Sequence, residues 1–382
     1  MNKKEQKFLI GMLFLTMLIL SISFSFVGIF IPTFKEVFNI SDKLIGLFLS
    51  VIQIITLVSY MIANKFSDKF GQKKLMLIGL LISAISFTLV SYSQTFSHLL
   101  IGYIFITFAL SFMLLSINTT LPLIQVSFQS ALLNMVHGFF GFGNTLSQKI
   151  IAILLNHNIE WQEIYRYISF GFLFTLFLYM FVYDVNNSKS KNLKKIKIKQ
   201  KKELALFIFA LGFYVSAEIQ TGNWFMNLLK NNYSITTLNA TTYTALFFGL
   251  FTTGRFIGGF ITEKFGYFKS IITSSTISII IYLIGMILKI NGLYFISLSG
   301  LFFAIIYPTT IALVGKIFTQ TSSKAIAIIS TSVSIFVLIS SLLIANLNDL
   351  IGPYLSFYLI PIFQLISLFF YIKLNSTFKE YD

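Results

Sequence analysis

The sequence predicts an all-α integral membrane protein, with about twelve transmembrane helices arranged as two six-helix bundles. Three observations carry that expectation: the composition, a regular succession of apolar runs, and a loop motif that recurs at a fixed offset. Of the 382 residues, 56% are hydrophobic and 11% charged, against roughly 25% charged in an average soluble domain. Long charged side chains are almost never buried unless paired, so a soluble chain of this length would need far more of them to cover its outside. The 45 Phe, 18 Tyr and only 5 Pro exclude a disordered or collagen-like chain. With no cysteine, disulfides, thiolate metal sites and Cys nucleophiles are excluded as well.

A membrane span needs about 20 apolar residues, and one span plus loop per roughly 32 residues gives about twelve. The apolar runs fall at 8–31, 44–63, 75–93, 99–123, 131–155 and 168–183. A second set lies at 204–229, 242–262, 270–288, 293–317, 325–345 and 353–374. In lipid the backbone must satisfy its own hydrogen bonds, which makes these runs helices. The first follows a basic start and lacks a small-residue cleavage site, so it is expected to be retained as a span. The only long charged stretch, Val185–Glu203, divides the chain into residues 1–184, a basic linker 185–203, and residues 204–382. It reads as a solvated linker that fixes topology, or as a patch for anionic lipid headgroups.

The net charge of +15 does not point to nucleic acid, because the lysines sit in short loops between spans. With a cytoplasmic N-terminus, 21 Lys and Arg fall on the cytoplasmic side and five outside (Lys35, Lys43, Arg166, Lys230, Lys289), with Lys149 and Arg255 inside spans. That asymmetry predicts a multi-pass protein of the cytoplasmic membrane with both termini in the cytoplasm.

The loop after the second run reads Asn64-Lys65-Phe66-Ser67-Asp68-Lys69-Phe70-Gly71-Gln72-Lys73-Lys74. The loop after the eighth reads Gly259-Phe260-Ile261-Thr262-Glu263-Lys264-Phe265-Gly266-Tyr267-Phe268-Lys269. Acid, Lys, Phe and Gly recur in order, 195 residues apart (263 − 68 and 266 − 71). A six-span repeat in the same orientation implies two bundles related by an axis along the membrane normal, with a binding site near the midplane between them. The first of these loops resembles the signature of the major facilitator superfamily, with Asn64 at its usual first Gly. A narrower resemblance, to the fucose–galactose–glucose:proton symporters, rests on three segments. They are Tyr214–Trp224 in the seventh run, Gly254–Gly259 in the eighth and Asn134–Gly143 in the fifth. That family has membrane carboxylates in its N-terminal half, and none is present here. The resemblance implies a cytoplasmic gate formed by Asp68, Lys69, Gly71, Arg255, Glu263 and Lys264.

Of the 13 acidic residues, twelve map to loops, ends or span boundaries, and Glu218 alone sits mid-span. An intramembrane charge costs at least about 2.5–3.5 kcal/mol on insertion scales and usually serves function. Glu218 is therefore the candidate proton-coupling group, with a structural hydrogen bond as the alternative. Gln220, Asn223, Trp224 and Asn227 follow it, and amides beside an aromatic face suit a hydroxyl-rich ligand. Trp224 could equally be an interfacial anchor. In the fifth run, Asn144 and Gln148 share a helical face. Lys149 either pairs with Glu218, binds an anionic group of the substrate, or snorkels outward. Asn118 in the fourth run is a further candidate for the cavity, since a buried amide must find a partner.

These features predict a secondary transporter that moves a small polar solute, with a sugar as the expected class, by proton-coupled alternating access. The alternatives are an exporter of a drug or anionic metabolite, working as a proton antiporter, and an uncoupled facilitator. No cofactor is expected beyond the proton gradient, and the partners are a small-molecule substrate and the lipid bilayer, with the protein a monomer that binds no nucleic acid. One buried Glu and three scattered His do not supply the convergent groups of an enzyme or a metal site. No GxxxxGK[ST] phosphate loop is present.

Overall fold

The computed structural model describes residues 3–121, 124, 129–184, 201–318 and 322–378, without the side chains of 64, 68, 129–131, 133, 134, 322–324 and 327. Most of the expected linker, 185–200, and the side chain of Asp68 lie outside the described residues. Among the described residues there are twelve α-helices and no strand. In the first half these are α1 (Lys3–Phe38), α2 (Asp42–Phe70), α3 (Gln72–Ser91), α4 (Phe96–Thr120), α5 (Gln129–Asn156) and α6 (Trp161–Met180). In the second they are α7 (Lys201–Asn227), α8 (Thr237–Phe265), α9 (Tyr267–Ile287), α10 (Leu293–Ile317), α11 (Ser322–Ser356) and α12 (Leu359–Thr377).

Ten of the described helices are long and apolar enough to cross a membrane. The two that fall short are α5, which carries Asn144, Thr145, Ser147, Gln148 and Lys149 in sequence, and α6, which opens on Trp161-Gln162-Glu163 and holds Arg166. Several helices overrun their apolar runs, because charged and polar residues continue the backbone hydrogen bonding past the greasy core. α1 extends through Pro32 to Phe38. α11 reaches Ser356 across a break at Gly352, which has φ 84° and precedes Pro353. The last turn of α7 widens into a π-helix over Leu228–Asn232.

The chain forms two compact units. The first comprises Met1–Phe30, Glu36–Asn39 and Val51–Leu193; the second comprises Ile31–Lys35, Ile40–Ser50 and Lys194–Asp382. In the first unit α3 packs on α4 and α6. An aromatic cluster of Phe26, Phe30, Phe87 and Tyr165 fills its core, and the Tyr165 hydroxyl bonds that of Tyr103 on α4. Hydroxyls tie the helices: Ser169 donates to the Ala84 carbonyl at 2.7 Å and Ser116 to that of Gln72 at 2.9 Å. With little hydrophobic drive between helices in lipid, packing and such polar links hold a bundle together.

The second unit is tied in the same way. α7 packs on α11 and α12, and α10 on α8 and α9. Ser367 of α12 donates to the Ala210 carbonyl at 2.7 Å, and Thr310 of α10 shares a 2.7 Å bond with Tyr371 of α12. α8 lies against α10 at Gly254, where a Cβ would come within 2.2 Å of the Leu301 carbonyl oxygen, and at Gly258, where it would come within 2.7 Å of Ile305.

The repeated loop motif has the same backbone in both copies. Gly71 has φ 84° and ψ 169°, and Gly266 has φ 89° and ψ 163°. Each N–H returns to a carbonyl four residues back, Gly71 to Ser67 at 2.9 Å and Gly266 to Thr262 at 3.0 Å. Each carbonyl in turn accepts from the following helix, from Leu75 and from Ser270. A positive φ strains any side chain, so glycine is required at both turns. Gly71→Ala and Gly266→Ala are each expected to lower stability by about 1–2 kcal/mol. Gly259→Ala, which would place its Cβ in open space, should leave stability unchanged or slightly raised. Thermal unfolding of the detergent-solubilised variants checks this. An unaffected Gly71→Ala would show the turn to be unstrained.

Candidate functional site

Glu218 lies on α7, flanked by residues that fasten the helix in place. Its neighbour Gln220 is fully buried and donates to Ser340 at 3.0 Å and Ser341 at 2.7 Å, both on α11. Thr221 is also fully buried and returns its hydroxyl to the Ala217 carbonyl at 2.7 Å. The less buried side of the helix runs through Glu218, Ile219, Gly222 and Asn223.

Facing Glu218 is Arg255 of α8, with Nη2 and Oε1 3.7 Å apart and the two side chains 24% and 21% exposed. The resemblance groups Arg255 with Glu263 and Lys264 at the cytoplasmic gate; in the structure its guanidinium lies against Glu218 of α7. Gly254 and Gly258 seat one face of α8 on α10, so the residue between them, about 100° further round, is turned toward α7. Eight to nine residues, about 12 Å of helix, separate it from Glu263 and Lys264. The guanidinium stacks on Phe251, 4.5 Å from its ring centroid. Its Nε is buried and has no hydrogen-bond partner among the described residues.

Two tyrosines approach the pair. Tyr214, one turn before Glu218, is buried and donates to the Phe303 carbonyl of α10 at 2.6 Å. The same hydroxyl lies within electrostatic reach of the Glu218 carboxyl. Tyr307 of α10 also lies within electrostatic reach of Glu218 and Arg255. A hydroxyl has one hydrogen and can accept as well. Tyr214, held by its bond to Phe303, therefore keeps a donor–acceptor group near the carboxyl.

Of the remaining sequence candidates in the second unit, Asn223 alone lies on the less buried side of α7 with Glu218. Trp224 is buried, 1% exposed, which removes it from the interfacial belt. Asn223 is half-buried. Asn227 is fully buried, and its Oδ1 accepts from Lys35 at 3.2 Å and from Asn231 at 2.6 Å. Lys35 in turn pairs with Asp42 at 2.7 Å. Asp349 of α11 accepts from the backbone N–H groups of Asp42 and Lys43 at 2.9 and 2.7 Å, capping α2 from a distant part of the chain. This polar cluster had no signal in the sequence beyond loop charges. In the first unit, Asn118 is exposed near the end of α4. Asn144 is buried and accepts from Ser25 of α1, Gln148 is buried on the same face of α5, and Lys149 is half-buried. At the repeated loops, Lys69 lies over the Phe70 ring at 5.0 Å and Lys264 over Phe265 at 5.5 Å, with Glu263 exposed.

The sequence model of the Major Facilitator Superfamily matches residues 13–298. The chain is 23% identical over 309 residues to the protein TsgA homolog of Buchnera aphidicola subsp. Baizongia pistaciae (strain Bp), covering 80% of this chain and 79% of that one. Among solved structures it resembles a D-xylose-proton symporter, with TM-score 0.83, 14% identity, and 96% and 97% of the two chains covered. It also resembles a bacterial homolog of the human lysosomal transporter Spinster, with TM-score 0.84, 12% identity, and 100% and 99% covered. The transporter FucP in its outward conformation matches with TM-score 0.64, 18% identity, and 95% and 99% covered.

Two predictions separate fastening from function. Gln220→Ala should cost about 1–3 kcal/mol of stability, since it strips α11 of its bonds. A direct solute ligand would instead weaken solute binding with little effect on stability. Arg255→Gln should cost about 2 kcal/mol, between the buried and exposed limits, and the double Glu218→Gln, Arg255→Gln variant should recover most of it. A double-mutant cycle on thermal unfolding reads both, and additive losses would refute the coupling.

Proposed function

Since the chain belongs to the Major Facilitator Superfamily, a family of membrane transporters and not of enzymes, we propose that it moves a small polar solute by proton-coupled alternating access, with Glu218 as the coupling group. A sugar is the class suggested by the three resembling segments and by the printed names of the xylose and FucP neighbours. The proposal places the protein in the cytoplasmic membrane with both termini in the cytoplasm, as its lysine distribution favours. The supporting observation is the Glu218–Arg255 pair: a mid-span carboxyl with a single long ionic contact.

A contact of 3.7 Å is longer than a hydrogen bond, so protonation of Glu218 gives up little direct bonding and frees Arg255. Binding the proton and the solute together, and releasing them together on the other side, requires that the changeover between the two exposures favour the fully loaded and fully empty forms. Glu218 provides the difference between those forms. The gate residues of the repeated loops, including Asp68, Lys69, Gly71, Glu263 and Lys264, would act on that changeover and not on the solute.

Radiolabelled uptake into proteoliposomes under an imposed pH gradient tests the proposal. Glu218→Gln is expected to abolish gradient-driven accumulation while preserving exchange of solute at equal concentrations. Accumulation by Glu218→Gln equal to that of the unmodified protein would remove Glu218 from coupling.

A further inference from the structure

We infer that the solute carries one negative charge, a small hydroxylated carboxylate, and that Arg255 is its receptor, held in reserve by Glu218 until the proton arrives. The inference rests on the proton-coupled reading and narrows its small polar solute to an acid, in place of the neutral sugar.

The charge balance decides between them. With Glu218 ionised, the pair is net neutral. Protonation leaves the guanidinium uncompensated, and an uncompensated charge within the bundle is strongly disfavoured. A neutral solute would not relieve it, whereas a monocarboxylate would. Empty (Glu218 ionised, Arg255 cationic) and loaded (Glu218 protonated, Arg255 cationic, solute anionic) forms are then both neutral. Proton alone leaves a positive site and anion alone a negative one, so each penalises crossing without the other. Coupling follows from this bookkeeping.

Among the described residues of the second unit, no other acid is placed beside the pair. The other twelve carboxyls of the sequence lie in loops, at helix ends or at span boundaries. Within the second unit, Asp42 is paired with Lys35, and Asp349 caps α2. Around Glu218, α7 itself brings Tyr214, α8 brings Arg255 and α10 brings Tyr307; α11 and α12 bring no described charged residue other than Asp349 and Lys373 toward their ends.

Arg255 is also incompletely used. A guanidinium has five N–H donors in a planar fork that matches a carboxylate. Here it has one ionic contact at 3.7 Å, an aromatic face beneath it, and a buried Nε with no partner among the described residues. Phe248 of α8 stands against Gly222, one turn after Glu218, with its ring tip 3.2 Å from where a Cβ would be, an apolar surface suited to the carbon side of a solute. The half-buried Asn223 and Tyr307 offer partners for hydroxyls.

The test uses the full chain in proteoliposomes, with radiolabelled D-gluconate, D-glucuronate and L-lactate against D-glucose, under an inward pH gradient with the membrane potential clamped at several values. At least one acid is expected to accumulate, with an initial rate that changes less than about twofold over about 100 mV, since no net charge moves. Arg255→Gln should lower acid uptake about tenfold or more, and Arg255→Lys should restore part of it. The double Glu218→Gln, Arg255→Gln variant, which leaves no charge unpaired, should unfold as the unmodified protein does and still fail to take up acid. Gradient-driven accumulation of glucose would overturn the acid assignment and leave proton coupling standing. Acid uptake indifferent to the pH gradient would overturn coupling and leave Arg255 as the receptor. Failure of every acid to enter would overturn the assignment.

Discussion

A carboxylate and a guanidinium that face one another in the middle of an apolar bundle constrain everything near them. Neither is affordable alone in a medium that hydrates no charge, and together they are tolerable only while their geometry is kept. Three features keep it. Gly254 and Gly258 let α8 approach α10 closely enough to aim Arg255 at α7. Gln220, bonded to two serines of α11, fixes the rotation of α7 and so the direction of Glu218. Tyr214, anchored to the Phe303 carbonyl, holds a hydroxyl beside the carboxyl. The pair is thus set by helix packing rather than by tight bonding between its members, which is why its separation can stay as long as 3.7 Å. A bidentate bridge would be stable and inert; a loose one can be opened by a proton.

How much of this was legible in the sequence depended on the kind of signal. The helices were readable from apolar run length, because a membrane leaves the backbone few options. Their ends were not, since Lys3–Lys7 and Asn346–Ser356 continue as helix in polar surroundings that hydropathy treats as loop. Glu218 stood out because mid-span acids are rare. Arg255 was visible as an in-span cation but was assigned to the gate, because the family motif groups it with Glu263 and Lys264. The decisive clue was electrostatic: one mid-span acid and one in-span arginine in the same half of the chain are each other's simplest neutralisation.

The amides show where reading from sequence reaches its limit. Gln220 and Asn227 were selected as ligands because amides suit a hydroxyl-rich solute, and Asn144 because it shares a helical face with Gln148; yet any amide in apolar surroundings must find a partner. Each does find one, and the partner is another helix: Ser340 and Ser341, Lys35, and Ser25. Polar side chains that glue helices and polar side chains that hold solute obey the same rule, so spacing alone does not separate them. Burial does. The three are buried, whereas Glu218 and Arg255 keep a fifth to a quarter of their surface accessible.

The two copies of the loop motif carry a similar lesson about what a repeat preserves. Gly71 and Gly266 share a positive-φ backbone and the same pattern of hydrogen bonds, although the residues around them differ. What persists is the geometry of the turn. The charged pair has no counterpart at the same offset: the positions 195 residues before Glu218 and Arg255 are Ser23 and Tyr60. The two halves share the turn geometry, and the carboxylate–guanidinium pair is found in the second alone among the described residues. The cycle proposed above, with one proton per solute, needs one titrating carboxyl, and Glu218 is the one mid-span acid of the sequence.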